Sequence, residues 1–101
     1  MYIINLNYIV PLEKLDRHMT AHVKFLQTYY QKNIFLASGR KVPRTGGIIL
    51  ALAKSKETLE EIMGEDPFVT HNLAEFTITK FLTSQMHPTF KEVLSRISPT
   101  P

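Results

Sequence analysis

The chain has 101 residues, 44% hydrophobic and 21% charged, values of a single globular domain with one modest core and not of a disordered or multi-domain protein. Its net charge of +3 comes from scattered basic residues, apart from Arg40, Lys41 and Arg44, so no nucleic-acid surface is expected; no apolar run approaches the roughly 18 residues of a spanning segment, so no membrane role is expected either. With no cysteine there is no disulfide framework, thiol nucleophile or thiolate metal site, and the first residues show no basic, cleavable leader pattern; the expected location is cytoplasmic.

Tyr2 to Val10 alternates, with Tyr2, Ile4, Leu6, Tyr8 and Val10 on one face and Ile3, Asn5, Asn7 and Ile9 on the other, which predicts a strand ended by Pro11. Leu12 to Tyr30 reads as one long amphipathic helix that runs out at Lys32-Asn33, where Asn suits a left-handed C-cap. Ile34 to Ser38 is a short second strand stopped by Gly39. Pro43 and the Gly46-Gly47 pair then make a connection between antiparallel neighbours. The apolar run from Ile48 to Ala53 predicts a central strand buried on both faces. Ser55 caps a second helix that buries Leu59, Ile62 and Met63 and ends at Gly64. After Asp66-Pro67, Ala74 to Leu82 forms a fourth strand, and the tail from His87 to Pro101 has the spacing of a short helix over Phe90, Val93, Leu94 and Ile97.

The order β-α-β-β-α-β predicts an α+β, ferredoxin-like domain over residues 1–83, with a four-stranded antiparallel sheet and two helices on one face, followed by a tail over 84–101. Two helices cover only one face of such a sheet, yet the strands carry apolar residues on both. The uncovered face predicts a homodimer packed sheet to sheet, as a dimeric α/β barrel, with Asn and Thr lending that interior a polar part.

The position that stands out is His22. On a continuous helix Leu15, Met19, His22, Leu26 and Tyr29 share one arc, so an imidazole sits where a core helix would carry Leu or Ile. There it needs a hydrogen-bond partner, a metal, or a cavity to face. His18 and His22 are i and i+4, a spacing that lets two imidazoles meet one ion, with Asp66 or His71 to complete it; without a zincin glutamate that signal is weak, and no metal is expected.

The helix motif AHVKFL around His22, the ASG of residues 37–39, the PRTGGIIL of 43–50 and the EDPFVTHNLAEFTITKF of 65–81 together resemble the YciI-like family, within the superfamily of dimeric α/β barrels that includes muconolactone isomerases. The resemblance implies a homodimer whose site pairs the helix histidine with the aspartate of the DPF motif, here His22 and Asp66. One characterised branch of the family resembles an aromatic dehydrochlorinase. Where the family commonly has proline after the Ser-Gly pair, this chain has Arg40.

A carboxylate bonded to one imidazole nitrogen fixes the tautomer and makes the other nitrogen a better base, so a His22–Asp66 pair suits proton abstraction, elimination or isomerisation with no cofactor. Asp66 before Pro67 has an equal reading as a helix cap. Ser38 and Gly39 at a strand end suit either a turn or a ligand oxygen. Arg40 and Arg44 suit an anionic small molecule, Phe68 a pocket wall, and His71 the pocket edge. The expected function is therefore an acid-base enzyme of lyase, dehydrochlorinase or isomerase type on a small cyclic or carboxylated compound. A non-catalytic ligand-binding domain on the same fold is the alternative.

Overall fold

A computed structural model describes residues 1–97. In chain order the elements are β1 (Tyr2–Tyr8), α1 (Leu12–Asp16), α2 (Met19–Gln31), β2 (Phe35–Arg40), β3 (Gly46–Ala51), α3 (Lys56–Met63), α4 (Pro67–Thr70), β4 (Ala74–Lys80) and α5 (Pro88–Leu94). The strands form one sheet in the order β2-β3-β1-β4 with all neighbours antiparallel, which is the ferredoxin-like arrangement expected from the sequence.

Alternation decides which face the helices cover. Tyr2, Ile4 and Leu6 of β1 are buried, and the register sets Ile49 and Ile78 on either side of Ile4, so the three central strands give one continuous apolar surface. Leu15, Phe25, Tyr29, Leu59, Ile62, Met63 and Phe68 close over it from the helices. Each of these side chains contributes about 1.5–3 kcal/mol by leaving water, so this one layer accounts for the fold's cohesion. Gly46 makes the closest approach in the sheet: a Cβ there would lie 1.8 Å from the Leu6 carbonyl oxygen, so no side chain fits.

On the other face Ile3 and Ile48 stay 36% and 38% exposed beside Asn5, Asn7 and Thr77, and Lys41 Nζ donates to Asn7 Oδ1 at 2.8 Å. The central strand β3 is thus buried on one side only in the single chain, against the expectation from its unbroken apolar run. The Asn5 side-chain oxygen on this face is buried without a hydrogen-bond partner among the described residues.

The expected long first helix is two pieces. His18 N–H bonds back to the Leu15 carbonyl and the backbone of His18 leaves the helical region, so α2 starts afresh at Met19. The interruption lets Leu15 enter the core from α1 while α2 buries its own i,i+4 pair, Phe25 and Tyr29. Asn33 takes the left-handed conformation (φ 60°) after α2, as expected, and Asn72 does the same (φ 56°) after α4. β2 runs on through Ser38 and Gly39 to Arg40 instead of stopping at Gly39, with an irregularity between Phe35 and Ala37. In the tail, α5 forms with the His87 ring capping Thr89 N–H, but buries none of its residues; Phe90 and Val93 are exposed. Residues 98–101, the end of that expected tail helix, lie outside the described residues.

Candidate active site

Asp66 sits at the N-cap of α4, held there by Pro67 at the first helical position and by a hydrogen bond from Phe68 N–H to its Oδ1 at 3.0 Å. It is the buried charged residue of the described chain, with no exposed surface. The same Oδ1 lies 2.8 Å from Nδ1 of His22, whose side chain is 12% exposed. Capping and pairing are therefore done by one oxygen. Oδ2 is buried without a protein partner among the described residues.

An ionised carboxylate only accepts hydrogen bonds, so Nδ1 of His22 carries the proton of this contact. In the neutral ring Nε2 then keeps the lone pair. The ring orientation is fixed by packing: Phe68 stacks on it with centroids 4.0 Å apart and planes 5° from parallel, and Tyr8 meets Phe68 edge-on at 5.9 Å. Behind this contact, Tyr29 on α2 donates its hydroxyl to the Glu65 carboxylate at 2.7 Å, tying the helix that carries His22 to the residue before Asp66. Burial, then the Glu65 hydrogen bond, push the Tyr29 hydroxyl up to about 12.

The imidazole lines a cavity of about 460 Å³ between α2 and the β2-β3-β1 part of the sheet. Ser38, Gly39, Arg40, Arg44 and Phe68 line it as well, so five of the residues singled out in the sequence meet around His22. Ser38 Oγ is hydrogen-bonded to the Tyr30 hydroxyl. A Cβ on Gly39 would touch no atom within 4 Å, so the protein alone does not demand glycine there. Arg44 Nη2 donates to Asp16 Oδ1 at 2.7 Å, and this contact raises the already high pKa of the guanidinium.

His71 does not line the cavity. It caps the far end of α4, exposed, and stacks on His18 with centroids 4.2 Å apart, because the turn that aims Phe68 inward carries His71 out. His18 is thereby turned to His71 while His22 turns to Asp66. Among the described residues no group of three or more His, Cys, Asp or Glu side chains is placed to hold an ion.

Among the lining residues that escaped the sequence reading of the site are Tyr8, Asp16 and Leu26. Tyr8 was visible only as one member of the alternating strand, and Asp16 meets Arg44 across 28 residues of sequence, a pairing with no local signal. Leu26 lines the cavity from the expected helix arc but carries no chemistry to mark it.

Comparison with known proteins follows the same lines. The YCII-related domain family matches residues 1–82, and the chain belongs to that family. Its fold resembles that of 5-chloro-2-hydroxyhydroquinone dehydrochlorinase from Burkholderia phenoliruptrix, solved with 2,5-dihydroxybenzoquinone, at a TM-score of 0.68 and 16% identity over 81% of this chain and 94% of the other. No curated protein matches the chain. Among the described residues no helix is long and apolar enough to cross a membrane.

Proposed function

We propose that the protein is an acid-base enzyme of lyase or isomerase type, acting on a small cyclic compound, in which His22 moves the proton and Asp66 positions and stabilises it. The observation that carries this reading is the 2.8 Å contact between a fully buried carboxylate and an imidazole that lines a cavity. Nε2 takes a proton from a ligand carbon or hydroxyl. The imidazolium so formed faces a carboxylate already in place, so little reorganisation is needed as charge develops. The electron pair left behind forms a new double bond, and either a leaving group such as chloride departs with its own pair or the proton returns at another atom. Neither route draws on a cofactor. Ser38, Arg40 and Arg44 are assigned to the ligand's oxygens and Phe68 to the wall beside the ring.

The similarity in fold to a dehydrochlorinase supports testing halogenated hydroquinones first. Chloride release should be measured with the wild type and with His22→Asn. Turnover that falls by about 10²-fold or more in the variant supports the reading; equal turnover in both, or none on halogenated phenols, lactones and enols, leaves a ligand-binding domain instead. The partly exposed Ile3 and Ile48 on the open sheet face support a homodimer. Sedimentation at micromolar concentration should give twice the 11.6 kDa chain mass; a lone 11.6 kDa species would contradict it.

A further inference from the structure

We infer that Arg44 is the subsite for a ligand carboxylate, and that Asp16 is an internal carboxylate occupying it until that ligand arrives. The inference rests on the proposed function only in using the same cavity, and it names the class of ligand: a small aromatic or cyclic monocarboxylate.

Three observations converge. Arg44 and Asp16 both line the cavity that His22 lines, so their ion pair stands at the ligand's own space and not on a remote surface. The contact is made through one nitrogen and one oxygen, Nη2 to Oδ1 at 2.7 Å. A guanidinium presents a fork of donors suited to both oxygens of a carboxylate, and this contact with Asp16, beside the Tyr8 hydroxyl, does not use that two-pronged fit. Finally, the two partners differ in exposure: the Arg44 side chain is 23% exposed and Asp16 is 58% exposed. The cation is set into the wall, whereas the anion reaches in from the water and returns to it at little cost.

The position of Asp16 in the chain fits an exchangeable contact. It is the last residue of α1, a five-residue helix, immediately before the Arg17-His18 interruption that separates α1 from α2. Its side chain makes no other hydrogen bond among the described residues. Arg40, on the neighbouring strand and lining the same cavity, has no carboxylate partner among the described residues and adds to the positive field that an entering anion meets. A neutral ligand would have to leave the Arg44–Asp16 pair intact. An anionic one replaces Asp16 on Arg44, so removing the Asp16 charge should favour anions over neutral analogues.

The test is binding of 2,5-dihydroxybenzoate and of neutral 1,4-hydroquinone to the full chain, followed by titration calorimetry or by amide shifts. Asp16→Asn should bind the benzoate about 5-fold or more tighter than the wild type, with hydroquinone unchanged. Arg44→Gln should bind the benzoate at least about 10-fold more weakly. Glu13→Gln removes the same charge from the same helix without touching Arg44, and should reproduce less than half of the Asp16→Asn gain on a logarithmic scale. Equal gains from Asp16→Asn and Glu13→Gln would reduce Asp16 to a general field effect and overturn the exchange. So would equal gains for benzoate and hydroquinone, or no benzoate binding by any of these proteins. The double variant His22→Asn/Asp16→Asn separates this inference from the catalytic one: it should bind the benzoate about 5-fold or more tighter than His22→Asn alone even where turnover is lost, and no such gain would overturn the exchange.

Discussion

Two carboxylate contacts stand at the cavity, and they are almost equal in length: 2.8 Å for His22–Asp66 and 2.7 Å for Arg44–Asp16. Their surroundings differ. Asp66 is wholly buried, accepts a backbone N–H as well, and faces a ring clamped by Phe68. Asp16 is more than half exposed and makes one contact. Water has been removed from the first pair and competes for the second, so distance alone says nothing about what each is worth. In the proposed function the His22–Asp66 pair stays together through a proton transfer, and in the proposed exchange the Arg44–Asp16 pair parts.

The largest expected effect comes from taking away the inner wall. Phe68→Ala removes a buried ring that contacts both His22 and Tyr8, and should cost about 3–5 kcal/mol in denaturant unfolding. Asp66→Ala should cost about 2–4 kcal/mol, because it removes the α4 cap and leaves the His22 Nδ1–H without its acceptor. Asp66→Asn, which keeps an oxygen for Phe68 N–H, should cost less; equal losses in the two variants would mean that the charge, and not the cap, carries the stability.

A smaller effect is expected at the brace behind the His22–Asp66 pair. Tyr29→Phe should cost about 1–2 kcal/mol, since the hydroxyl's bond to Glu65 is lost while the ring still packs. Because the folded state holds this hydroxyl's proton more tightly, up to about 12 from an ordinary value of 10, its contribution is complete below pH 10 and is lost as pH rises toward 12. Unfolding followed from pH 9 upward should therefore show a decline in the wild type that is shallower in Tyr29→Phe. The smallest effect belongs to the Arg44–Asp16 pair. Asp16→Ala should leave the melting temperature unchanged within measurement, and a clear loss of stability there would erase the distinction between the two contacts.

The sequence carried the fold because its strongest signals are local. The alternation of Tyr2 to Val10, the Ser55 cap and the Asn33 stop each specify an element from adjacent residues, and all three are present in the structure. His22 was marked by its polarity on an apolar helix, and Asp66 by its place before Pro67 together with the family resemblance. What escaped depends on the path of the chain in space. Nothing among Asp16, Arg17 and His18 breaks a helix by itself, so the interruption between α1 and α2 follows from how Leu15 and Phe25 meet the sheet. That interruption in turn sets Asp16 near Arg44 and His18 against His71. The exposure of Ile48 was hidden for a related reason: an unbroken apolar strand reads the same whether its second face meets a helix or another chain.

In the proposed function the buried Asp66 carboxylate holds the imidazole's proton on the side away from the ligand. The tautomer of His22 can be read from its two ring nitrogens by long-range proton–nitrogen NMR on the wild type, at a pH where the ring is neutral. An ionised Asp66 calls for the proton on Nδ1, facing the carboxylate, with Nε2 carrying the lone pair. A proton on Nε2 instead would mean that Asp66 donates to the ring, and His22 would then lack the free nitrogen with which a base must work.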